Sequence, residues 1–142
     1  MALCLDVADA VAAELAKGSF AVEIEPRRLV LPSFSLADLA DLRVTVVPKA
    51  VEITGASRSL AQHDVQVDIG IQKKVGPEMD SEVTALCGLV EEVATFLKRR
   101  PLAAAPHVAW VQTANDPIYV PAHLAEQRVF TSVLTATYRT LA

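Results

Sequence analysis

Apolar and polar residues alternate most cleanly over residues 64–73. Val65, Val67, Ile69 and Ile71 are apolar, while Asp64, Gln66, Asp68, Gly70 and Gln72 are polar or glycine. A period of two puts each set on its own face, so the segment predicts a strand with one buried face. Residues 42–47 predict a second strand, rich in β-branched valines and stopped by Pro48. The two suggest an antiparallel pair. Between them, residues 51–62 have turn composition around Thr54-Gly55-Ala56-Ser57-Arg58-Ser59 and predict an exposed loop.

Helical spacing appears twice. Leu5, Ala8, Ala12 and Leu15, widened by Val11, predict a helix over residues 6–17, with Gly18 placed for a left-handed C-terminal cap. Val83, Leu86, Val90, Val93 and Leu97 step by three and four and predict a long helix from Asp80 or Ser81 to Arg99. The basic run Lys98-Arg99-Arg100 suits the negative end of its dipole, and Pro101 ends it. Residues 20–27 alternate like an extended segment, with Pro26 at its end or on an edge. Ser35 is placed to cap a short turn over residues 36–39. Residues 109–113 read as a short strand and Asn115-Asp116-Pro117 as a turn, while residues 119–126 are ambiguous, with Pro121 placed for a short helix start. Residues 129–140 are apolar and β-branched on both faces and predict a central strand. The order predicts one α+β domain over residues 1–142: a mixed, mostly antiparallel β-sheet with two α-helices packed on one face.

Composition narrows the function classes. The chain has 142 residues, 52% of them hydrophobic, and a net charge of −4. No apolar run approaches the ~20 residues of a spanning helix. The first residues lack a basic stretch ahead of their apolar ones, which predicts a chain made in the cytoplasm with no secretory leader. Gripping phosphates normally takes a basic stripe, so stable nucleic-acid binding is disfavoured. The apolar excess has two readings, a well-filled core or a surface covered by neighbouring subunits.

Candidate chemistry is sparse. The glycines form neither GxGxxG nor a P-loop, and no serine sits in GxSxG. His63 beside Asp64 could be a base oriented by a carboxylate, but two solvated strand-start residues are the favoured reading of the pair. Asp64 and Asp68 share a strand face, and His123 and Glu126 could share a helical turn, a set too small for a metal site. Cys4 and Cys87 stand far apart and read as reduced, buried thiols. No cofactor and no catalytic or metal site is expected.

Several runs resemble those of a family of small phage proteins of tail termination and neck assembly in long-tailed phages. They are residues 41–48 (DLRVTVVP), 56–58 (ASR), 63–74 (HDVQVDIGIQKK), 115–119 (NDPIY) and 130–139 (FTSVLTATYR). These are strand patterns rather than catalytic signatures. The resemblance implies a non-enzymatic virion protein. It would form a ring, typically a homohexamer, at the head-proximal end of the tail, stop growth of the tail tube and join the tail to the head. Implied partners are further copies of the chain, the major tail tube protein and a head-side connector or stopper. DNA would pass through the lumen without specific binding, and no membrane is involved. Another neck component, such as a head-completion or stopper protein, is the nearest alternative. A small α+β enzyme using His63 and Asp64 and a ring-less soluble adaptor are further ones. Within this frame the loop over residues 50–62, with tip residues Thr54, Gly55, Ala56, Ser57, Arg58 and Ser59, is the candidate contact arm.

Overall fold

Valines and isoleucines at alternate positions need a partner layer, and two amphipathic helices supply it. In the computed structural model, which describes residues 2–31 and 38–142, the elements run α1 (Leu3–Leu15), β1 (Pro26–Arg28), a short 3-10 turn (Asp38–Ala40), β2 (Arg43–Gly55), β3 (Ala61–Lys74), α2 (Met79–Leu97), β4 (Ala109–Asn115), α3 (Pro121–Gln127) and β5 (Val129–Leu141). The strands form one sheet in the order β1-β2-β3-β5-β4. β1 is parallel to β2, and the other pairings are antiparallel. The expected α+β class and mixed sheet hold, with a third short helix added. The expected Ser35 cap lies outside the described residues.

The core lies between the sheet and α1 and α2. Val44 and Val46 of β2, Val65, Val67, Ile69 and Ile71 of β3, and Leu134, Ala136 and Tyr138 of β5 share one face with Val7, Val11 and Leu15 of α1 and Leu89, Val93 and Leu97 of α2. The connection after α2 is drawn in by Leu102, Ala105 and Val108, all buried, on successive i to i+3 backbone bonds. α3 packs against β5 through Leu124.

Four expectations change. α1 begins and ends two to three residues earlier than its apolar spacing suggested, and its buried face holds Val7, Ala10 and Glu14 beside Val11 and Leu15. Gly18 is not left-handed. Its role is space: a Cβ there would lie 2.6 Å from the Phe20 ring and 3.0 Å from that of Phe96. The left-handed positions among the described residues are instead Arg99 and Arg128.

Residues 20–25 are irregular, and the strand starts at Pro26. Phe20 packs edge-on against Phe96 at 5.3 Å, and the Glu92 carboxylate accepts the Ala21 N–H at 3.0 Å, so the segment follows α2 instead of the sheet. Finally, Pro48 does not end β2. A bulge lies between Pro48 and Ala50, and β2 continues to Gly55. The alternation of the ladder turns the backbone of Pro48 away from β3, so its missing N–H falls on an edge that lacks a partner among the described residues.

Candidate functional site

The expected loop over residues 50–62 is the outer half of a β-hairpin. β2 and β3 stay paired out to Gly55 and Ala61. The connecting turn is closed by Ala56 and Ser57 N–H groups donating to the Leu60 carbonyl, at 3.2 and 3.0 Å, and by Leu60 N–H donating to Ser57 Oγ at 3.2 Å. Thr54 and Gly55 therefore end a strand, and Ala56, Ser57, Arg58 and Ser59 form an ordered turn, all of them exposed. Arg58 has no ion-pair partner among the described residues. β3 is not alone behind this hairpin: β5 runs beside it to the end, where Ala61 and Ala142 exchange both backbone bonds.

The sheet face opposite the helices is polar, with Asp64, Gln66 and Asp68 half-buried and Thr45 and Thr137 buried. Asp64 takes two bonds from Arg139, Nε at 2.8 Å and Nη2 at 3.1 Å, and this guanidinium holds its carboxyl below the usual carboxylate range. Asp68 accepts from Thr135 Oγ1 at 2.7 Å, with Lys49 Nζ 3.8 Å away. The two acidic residues singled out in the sequence thus share a face, and each is engaged by a β5 side chain. The face is concave. Ala50 and Glu52 of β2 and Val111 and Gln112 of β4 line one groove of about 430 Å³, floored by Gln66 and Thr137. Thr137 Oγ1 is buried there without a hydrogen-bond partner among the described residues.

The other candidate groups are dispersed. His63 and Asp64 are successive strand residues, so their side chains leave opposite faces and cannot form a dyad. His123 Nδ1 lies 3.0 Å from Thr131 Oγ1, while His107 is exposed on a loop. Cys4 and Cys87 are free thiols, and burial, with Glu91 nearby, pushes that of Cys87 up. No group of three His, Cys, Asp or Glu residues among the described ones could hold a metal.

Sequence reasoning missed the one charged group of the core among the described residues. Glu14 is 3% exposed, accepts from Arg100 Nε at 2.6 Å and Ala103 N–H at 3.0 Å, and pairs with Lys17 at 3.1 Å. The Arg100 bond above all pulls its carboxyl from 4.5 to about 2. Glu14 ties α1 to the segment after α2, a positioning task. The signal was available: a carboxylate flanked by Val11 and Leu15 on an apolar helix face needs a cation.

The remaining surface feature is the pair of sheet edges. On one side, among the described residues, β2 is covered by β1 only over Val44–Val46, plus one bond from Leu29 N–H to the Val46 carbonyl at 3.0 Å. On the other side stands β4, which among the described residues pairs only with β5. Val51 and Ile53, on the bare part of β2, are 41% and 61% exposed. No protein-family model matches the chain, and no curated protein is similar to it.

Proposed function

We propose that this chain is a structural virion subunit that joins copies of itself head-to-tail into a ring at the head-proximal end of a phage tail. There it ends tube growth and receives the head-side connector. The observation that carries the reading is the sheet with an edge on each side, β2 beyond Pro48 and β4, that has no strand partner among the described residues. Bare edges invite pairing, and a contact between two different surfaces of one subunit closes into a ring when its rotation divides a full turn. The resemblance of residues 41–48, 63–74 and 130–139 to neck proteins supplies the location. The ordered tip at Arg58, lying at one end of the strands, is suited to meet the next ring or the connector.

Nothing in this role makes or breaks a bond. Asp64, Asp68, His123 and Glu14 each have a structural partner, which supports a non-enzymatic reading. Light scattering after size exclusion, with negative-stain imaging, tests the ring: closed particles support it, and a monomer at every concentration and on added tail tubes overturns it. Exchanging residues 56–60 for a tight Asn-Gly turn tests the tip. The expected variant is folded, forms rings and fails to join tails to heads, whereas normal joining would remove the tip from the contact.

A further inference from the structure

We infer that the junction between copies is an antiparallel strand pairing, with one copy's β4 laid along the next copy's bare stretch of β2. The inference rests on the ring reading and specifies its interface. β2 and β3 are antiparallel, as are β3 and β5, and β5 and β4, so β2 and β4 run in opposite directions at the two sides of the sheet. Repeating the subunit in one sense therefore sets β4 antiparallel to the next β2, the better-bonded arrangement.

The lengths agree. Among the described residues the stretch of β2 without an outer partner extends from Lys49 to Gly55, and β4 spans 7 residues. Ladder alternation turns the backbone groups of Val51 and Ile53 outward on β2, and those of Trp110 and Thr113 outward on β4. All four carry their side chains on the helix side, so the joined sheet keeps its helices on one side and its polar face on the other. Centring one stretch on the other places Glu52 opposite the neighbouring copy's Gln112, Val51 by Thr113, and Ile53 by Trp110. The half-exposed Val51 and Ile53 then gain an aromatic and a β-branched cover. Within one copy Gln112 is level with Ala50 through Thr137 and Gln66. Successive copies are thus staggered by two residues, about 7 Å at the rise of a strand. Tilted strands need such a stagger to close.

Two measurements test this. In a Cys4→Ser, Cys87→Ser background, Glu52→Cys protein is mixed with Gln112→Cys protein carrying a mass tag. The two positions face each other as a non-hydrogen-bonded pair, the spacing that admits a disulfide. Mild oxidation is expected to give the mixed covalent dimer in several-fold excess over either homodimer. Equal yields, or no mixed dimer from material that still forms rings, overturn the strand junction and leave the ring reading standing. Failure of the unmodified protein to form rings sinks the ring reading itself. Val51→Pro removes only an outward N–H, so the folded monomer should remain, with ring formation lost at least tenfold. Rings of undiminished affinity from that variant would also overturn the junction, as would rings that form only when another protein supplies the strand.

Discussion

β2 carries two pairs of branched aliphatic residues on its helix side, and they meet different fates. Val44 and Val46 are 2% and 0% exposed, whereas Val51 and Ile53 are 41% and 61% exposed. The strand, the face and the chemistry are the same. What differs is the layer above: α1 lies on the lower part of β2, and among the described residues nothing lies on the upper part. Burial along a strand is thus decided by the length of its neighbours, and the surplus length is surface that folding of one copy does not use.

Four substitutions can break or sharpen that contrast. Ile69→Ala, in the covered half, should destabilise the monomer most, by about 3–4 kcal/mol in urea denaturation, through lost burial and a cavity. Glu14→Gln should cost about 2 kcal/mol, since it leaves charge-assisted bonds from Arg100 and Ala103 weakened in a buried place. This site also has a pH signature. Its folded carboxyl, at about 2, lies below its free value of 4.5. The stability it contributes is therefore whole above about pH 4.5 and is lost as pH falls toward 2. Denaturation across that range should show a steeper acid slope in the unsubstituted protein than in Glu14→Gln. Gly18→Ala should cost about 1 kcal/mol, because the Phe20 ring must shift away from the new methyl. Ile53→Ala should change monomer stability by less than about 0.5 kcal/mol yet weaken self-association measured by sedimentation. A large folding defect there would mean that the upper half of β2 is core after all.

Where burial has a period, the sequence was legible. The alternation from Val65 to Ile71 and the three-four spacing from Leu86 to Leu97 describe the actual buried faces of β3 and α2. Legibility fails where burial has no period. The upper part of β2 is exposed on both faces, so Thr54, Gly55 and their neighbours carry turn-like residues although they belong to a ladder. Pro48 reads as a stop only if its strand has neighbours on both sides. Residues 20–25 alternate like a strand, but Phe20 and Ala21 are bound to α2 by a ring contact and a carboxylate that sequence spacing does not reveal. The resemblance to neck proteins rests on those same strand runs, which is why it speaks of shape and assembly and names no reactive group.

Pro48 has a last consequence. An exposed strand border is hazardous because pairing can propagate along it and recruit chain after chain. Here the track is short: β1 occupies its lower end, and Pro48 with the adjoining bulge withholds a donor and breaks the spacing just above. Any visiting strand can zip over a few residues and then finds no more rungs, so the molecule can be adhesive at this border without seeding fibres.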